Sequence, residues 1–365
     1  MKNFLALVRY AINDDAPVPV PMTVEEWKGV FEIAMKQTVT GVVFHGIQKL
    51  PKEMMPEHEV LMAWIGMAMR LRKKNELLFK RAAQAKRNFE RCGYRNCILK
   101  GQGNAMMYPD PYMRTPGDID IWLDGRRLDI IRFVKGMFRD VKFKFQHIDF
   151  PAFKDAAIEV HYMPMYTQNP ITNRRLQVFF KREKETQMTN VVELPDGYGE
   201  IAVPTPYFNA VYQITHLFIH FVIEGIGLRQ FVDYYYVLRN LPEDRRGDVV
   251  RMLKDIKMYK FAQAVMYVEK EMLGLEDEYV FIPVDEKNGR RLAEEIMIGG
   301  NFGHYETRYW SKDGGFWDKQ VQKIKRNSRF MLTYPSEELC EPFFRLYHFL
   351  WRCYVNVRLK LYKSN

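Results

Sequence analysis

Asp118 and Asp120 stand two residues apart in the alternating run Asp118-Ile119-Asp120-Ile121-Trp122-Leu123. Such alternation predicts a β-strand, where residues i and i+2 leave the same face with their α-carbons about 7 Å apart. Two carboxylates held that close repel each other unless a cation lies between them. Mg²⁺, or Mn²⁺ in its place, suits the position, because Mg²⁺ prefers hard oxygen ligands and keeps coordination places for water or phosphate. Gly117, just before the pair, permits a sharp approach and leaves room beside it. Glu159 sits in a second alternating run, Ala157-Ile158-Glu159-Val160-His161, and would face the same cations if the two strands were neighbours. Asp149 is the alternative third carboxylate. Two metals about 3.5–4 Å apart in such a cluster would polarise an α-phosphate, activate an attacking hydroxyl and stabilise departing pyrophosphate. Glu159 would serve as a ligand or as the base that takes the acceptor proton.

Upstream, Cys97-Ile98-Leu99-Lys100-Gly101 reads as a strand ending in a glycine turn, with a helix starting near Gly103. A turn of this kind offers backbone N–H groups to an anion. Lys100 and Arg114 would add charge to a triphosphate, Arg114 through its bidentate fork, unless it makes an ordinary loop ion pair. His216 and His220 share one helix face, but no Glu lies in the zinc-protease position between them, so they read as buried or cleft-lining histidines. Arg229 and Asp233, four apart, read as a local helical ion pair.

Three segments must position these residues. Residues 1–92 are helical: Thr23 is a candidate cap for TVEEWKGVFEIAMKQ, and a long stripe from about Val60 to Arg91 carries Trp64, Met67, Leu71, Leu78, Ala82, Ala85 and Phe89. The rest of that helix is basic, and reads first as a solvated face, second as a phosphate or nucleic-acid surface. Residues 93–195 form a mixed block, with strands in NCILKG, DIDIWLDG, VKFKFQHIDF and AAIEVHYMP, helices over 103–107 and 126–137, and an end in the polar stretch KREKETQMTNVVELPDGYGE. Residues 196–365 return to helix, with runs over 230–238, 246–273 and 340–361. An aromatic-basic stretch from Phe302 to Arg329 could stack on a nucleic-acid strand, but reads first as a loop packed on the core. The fold class is therefore α+β.

At 365 residues, with 47% apolar and 27% charged residues, the chain is too apolar for wholesale disorder and too long for one small core. Lys and Arg exceed Asp and Glu by 55 to 45, and the net charge of +10 favours an anionic partner. Cys92, Cys97, Cys340 and Cys353 are too few for a disulfide scaffold and lack zinc-site spacing. The apolar run between Lys2 and Arg9 is short for an export signal, and the stretch from His216 to Leu228 falls short of a membrane span. The expectation is a cytoplasmic protein without a membrane partner.

Taken together, Leu99-Lys100-Gly101, Tyr108-Pro109-Asp110-Pro111, Arg114 and Gly117-Asp118-Ile119-Asp120 resemble the uncharacterised bacterial nucleotidyltransferases of the polymerase-beta-like superfamily. His216-Leu217-Phe218-Ile219-His220, Gly225 to Gln230 and Asp233 extend the likeness, which covers roughly residues 95–240 and, more weakly, the helical N-terminus. The resemblance implies a small mixed sheet with helices on one side, flanked by N- and C-terminal helical regions. It implies metal-ligand positions at Asp118 and Asp120, a third carboxylate at Glu159 and a triphosphate turn at Lys100–Gly101. The implied reaction moves an NMP from an NTP to a hydroxyl acceptor. The turn departs from the superfamily's usual Gly-Ser or Gly-Gly, since Gln102 follows Gly101. That departure keeps a second reading open, an inactive nucleotide- or nucleic-acid-binding regulator on the same fold. A third reading is a structural protein that binds no ligand.

Overall fold

The computed structural model describes residues 1–305, 315 and 330–363. After α1 (Lys2–Ile12), Thr23 caps α2 (Val24–Gln37). The Thr23 hydroxyl accepts from the Glu26 amide at 3.3 Å, and the Glu26 carboxylate accepts from the Thr23 amide at 2.9 Å. This reciprocal box satisfies two amides at the two ends of the first turn. α3 (Thr40–Gln48) leads to α4 (His58–Arg91), which buries Trp64, Leu71, Leu78, Ala82, Ala85 and Phe89 as the stripe predicts. Several of its cations are tied to neighbours. Arg81 pairs with Asp155, Lys86 with Glu90 and Glu200, and Arg72 lies over the Tyr112 ring. These contacts fit a solvated face whose long stems cover apolar surface.

The mixed block comprises β1 (Asn96–Ile98), α5 (Gln102–Ala105), β2 (Ile119–Leu123), α6 (Arg127–Met137), β3 (His147–Asp149) and β4 (Ile158–His161). The sheet order is β1-β2-β4-β3; β2 and β4 run parallel, and the two outer pairings are antiparallel. A parallel pair needs a crossover, which α6 and β3 provide here. One face is apolar: Ile119, Ile121, Leu123, Ile148, Ile158 and Val160 are all buried. Phe89 of α4 closes over that side, 4.9 Å from Phe150 and 6.3 Å from Phe133 of α6, ring centre to ring centre. Period-two geometry sends Asp120, Trp122, Glu159 and His161 to the other face.

Beyond β4 comes the polar stretch in which the mixed block is expected to end. Its first part is the end of α7 (Pro170–Thr189), and the rest forms a hairpin of β5 (Val191–Glu193) and β6 (Glu200–Ala202). Next come α8 (Pro206–Ile223), capped by Thr205, and α9 (Leu228–Arg239). The run expected over 246–273 is two helices, α10 (Glu243–Asp255) and α11 (Tyr259–Glu271), broken where Lys257 takes a left-handed φ of 57°. After α12 (Glu286–Gly299), α13 (Pro335–Glu338) and α14 (Glu341–Lys363) end the fold. The Glu337 carboxylate accepts from the Gln168 and Asn169 amides at 2.6 and 3.1 Å and from the Thr172 hydroxyl at 2.9 Å, which ties α13 to the start of α7. On α14, Phe344, His348 and Trp351 pack around Phe145 at 5.0–5.6 Å.

The fold is α+β, a small mixed sheet flanked by helices, with one buried apolar cluster reaching from Phe4 to Val355. All four cysteines are free. Among the described residues no helix is long and apolar enough to cross a membrane. Most of the aromatic-basic stretch, 302–329, lies outside the described residues.

Candidate active site

The parallel pairing of β2 with β4 sets Asp120 directly opposite Glu159. Asp118 immediately precedes β2, and the carboxylates of Asp118, Asp120 and Glu159 each bring an oxygen within 4.8 Å of the others. Asp149 is the partner of Glu159 on its other side, in β3, and is not part of that group. Three converging carboxylates with room beside them fit a divalent cation bound through oxygen. Only 1% of Asp120 is exposed. Burial alone would raise its pKa, yet the Lys100 ammonium 3.2 Å from Oδ2 and His161 Nε2 2.9 Å from Oδ1 hold it well below the usual carboxylate range. Asp118 is pushed the other way, first by the charge of Asp120 and then by burial.

Lys100 and Gly101 reach the site because β1 lies beside β2: the Leu99 amide donates to the Asp120 carbonyl at 3.0 Å. Gly101 has φ 62° and ψ −110°, a region closed to most side chains, and a Cβ there would stand 3.4 Å from the Asp118 carbonyl oxygen. The helix after it, α5, is only four residues long, so its dipole is small. Lys100 Nζ also lies 3.1 Å from His216 Nε2. Burial and the Lys100 charge depress His216 well below its ordinary value, so its ring is neutral and accepts this contact.

Arg114 and Asp233 are both buried and form a two-pronged pair, Nε to Oδ1 at 2.8 Å and Nη2 to Oδ2 at 2.7 Å, with the Tyr108 hydroxyl donating to Oδ1 at 2.6 Å. The expected Arg229–Asp233 pair is therefore replaced by one across the chain, because the fork of Arg114 fits both oxygens at once. Arg229 donates to the Thr115 carbonyl at 3.2 Å and stands 3.7 Å from where a Gly117 Cβ would be, beside the approach to Asp118. It has no carboxylate partner among the described residues. Arg114 and Arg229 both line the cavity, Arg114 held by Asp233 and Arg229 beside Gly117. The Gly-Leu-Arg-Gln start of α9 was the available signal for Arg229.

Lys100, Arg114, Asp118, Asp120, Glu159, His161, His216, Arg229 and Asp233 line one cavity of about 580 Å³, roofed by α8 and α9 over the carboxylate face of the sheet. Lys144, Phe145, Tyr166 and His348 also line it, with Lys144 Nζ 3.8 Å from Glu159 Oε1. Two site residues escaped the sequence reading, His147 and His161. His161 is pushed up to about 9 by Asp120 and Glu159 against the effect of burial, while burial and the neighbouring His161 push His147 down to about 3.

A family model described as uncharacterised nucleotidyltransferase matches residues 23–274. The chain belongs to this family. No curated protein and no solved structure matches it. The matched span contains the whole carboxylate cluster, Lys100, Gly101 and the Arg114–Asp233 pair, and it ends in the segment after α11. The family supplies the reaction class, and the sheet register supplies an acidic group able to bind metal.

Proposed function

We propose that this nucleotidyltransferase moves an NMP from an NTP to a hydroxyl acceptor, releasing pyrophosphate, with Asp118, Asp120 and Glu159 as the ligands of Mg²⁺ or Mn²⁺. The observation that carries the reading is the in-register Asp120–Glu159 pair with Asp118 beside it, at the base of a cavity of about 580 Å³, a size normal for small-molecule sites. Bound metal would neutralise phosphate charge and make the acceptor hydroxyl easier to deprotonate. Arg229 and Lys100 flank the approach to the triphosphate from either side of Gly117 and Gly101. Glu159 is held ionised by the charged His161 despite burial and the charge of Asp120, and is therefore able to receive the acceptor proton. The wall formed by Phe145, Tyr166 and His348 is where an acceptor would lie.

One observation favours a second reading. Lys100 and His161 already balance Asp120 without a cation, as suits a nucleotide-binding regulator that has lost turnover. One experiment separates the readings. Thermal stability is measured with each NTP, with and without Mg²⁺, for wild type and for Asp118→Ala/Asp120→Ala, alongside pyrophosphate release. At a hundredfold excess over its dissociation constant a ligand adds about 2.7 kcal/mol of stability. The enzyme reading expects a metal-dependent gain with one NTP, lost in the double variant, and pyrophosphate release once an acceptor is present. A metal-independent gain without release supports the regulator. No gain with any NTP sinks both.

A further inference from the structure

Six of the chain's eight histidines line the cavity: His147, His161, His216, His220, His304 and His348. A cavity built only for a nucleotide and hard cations has no use for so many imidazoles. His216 and His220 are accounted for by Lys100 and Glu224, whose side chains they contact at 3.1 Å. His147 is different. It is 4% exposed, and neither ring nitrogen makes a hydrogen bond among the described residues. Nδ1 comes within 3.1 Å of Glu159 Oε2 without hydrogen-bond geometry. A neutral imidazole carries one donor and one acceptor, and leaving both buried and unused is costly. His161, 2% exposed, stands directly opposite His147 in the β3–β4 pairing, with its Nδ1 also without a hydrogen-bond partner among the described residues. Its Nε2 lies 3.7 Å from the same Glu159 oxygen.

We infer that His147, Glu159 and His161 form a second metal site, selective for a transition-metal dication of the Zn²⁺ class over Mg²⁺. The ligand atoms of the three residues lie within 4.8 Å of one another. Donors about 2.0–2.1 Å from one ion stand roughly 3.0–3.4 Å apart; the two histidine–Glu159 distances of 3.1 and 3.7 Å are close to that, while the two imidazoles would draw together and His161 Nε2 would exchange its contact with Asp120 for the ion. Two imidazoles and one carboxylate leave a coordination position open, the ligand set of a working site rather than a closed structural one. Imidazole draws Zn²⁺, Co²⁺ and similar ions, whereas Mg²⁺ keeps to oxygen. Glu159 would then border both positions, Asp118 and Asp120 on one side and the imidazoles on the other. The inference rests on the proposed active site only in sharing Glu159 with it.

The test uses the full chain stripped with a chelator and titrated with Co²⁺, whose visible d–d bands report nitrogen ligation, in the presence of excess Mg²⁺. The expected result is one equivalent of Co²⁺ retained against Mg²⁺. His147→Gln and His161→Gln should each weaken it about 100-fold or more, beyond what loss of an outer partner of a ligand costs, with circular dichroism unchanged. Zn²⁺ should bleach the Co²⁺ bands by displacement. Displacement of Co²⁺ by Mg²⁺, or unaltered Co²⁺ affinity in both histidine variants, overturns the inference and leaves His161 as an ion-pair partner of Asp120 only. Asp118→Asn separates the two proposals. It should abolish Mg²⁺–NTP stabilisation while Co²⁺ stays bound; retained NTP stabilisation in that variant would count against the active-site reading alone.

Discussion

Replacing Asp233 tests whether the fork of Arg114 is structural or nucleotide-facing. Both residues are about 95% buried, and the carboxylate accepts three hydrogen bonds of 2.6–2.8 Å, two from Arg114 and one from Tyr108. Removing one partner of a buried ion pair strands the other charge, at about 3–5 kcal/mol. Asp233→Asn keeps one acceptor and should fall near the lower end. Asp233→Ala also orphans Tyr108 and should approach the upper end. Burial opposes the Asp233 charge, but Arg114 and Tyr108 hold its pKa below the ordinary carboxylate value. For a carboxylate depressed by folding, the stabilisation is complete above the unfolded pKa of about 3.9 and fades as pH drops through the folded value. The gap between wild type and Asp233→Asn should therefore be constant from neutral pH to about 5, then narrow in acid. Equilibrium urea denaturation at several pH values measures it. A double replacement, Arg114→Met with Asp233→Leu, should regain most of the loss, since it leaves no buried charge. A cost below about 1 kcal/mol, the value of an exposed pair, would refute the reasoning, and a simultaneous loss of NTP binding would return Arg114 to the phosphates.

Glu269 of α11 is wholly buried, and neither carboxylate oxygen has a hydrogen-bond partner among the described residues. Burial raises its pKa well above the ordinary value, so the penalty is absent below about pH 4.3, where both states are protonated, and grows above it. Glu269→Met should stabilise the chain by about 1–3 kcal/mol at neutral pH, and a denaturation series that shows no gain there, or one independent of pH, contradicts this. Gly101→Ala forces a side chain into a backbone region that costs about 1–3 kcal/mol and sets its Cβ 3.4 Å from the Asp118 carbonyl oxygen. It should lower both stability and Mg²⁺–NTP affinity, and a neutral result in calorimetry would mean that the turn relaxes freely.

The core of the site was legible because strands with one buried face advertise themselves. Ile119, Ile121, Ile158 and Val160 alternate with the acids, and that pattern assigned Asp120 and Glu159 each to the polar face of its strand, leaving the pairing of the two strands to the fold. The capping box at Thr23 was equally local. What escaped depends on distant partners or on residues without a signature. Lys257 breaks the run between α10 and α11 in a conformation that usually marks glycine, so nothing in the residue types announces it. α7 hides among charges, burying a narrow stripe around Leu176, Phe179 and Phe180. His147 and His161 meet only because β3 folds back on β4, and Asp233 finds Arg114 only after α9 crosses the loop before β2.

The matched span of the family ends at residue 274, yet Glu337 fastens α13 to α7, and α14 places His348 in the cavity wall around Phe145. The fold thus divides its labour along the chain. The carboxylates and the cations beside them are built before residue 274, and part of the cavity lining is supplied after it. A substitution at His348 would change the lining directly, and one at Phe344 or Trp351 would act on it through Phe145, without altering any residue of the paired strands. Chimeras that exchange only α13 and α14 would therefore alter the lining while leaving the carboxylate-bearing strands as they are.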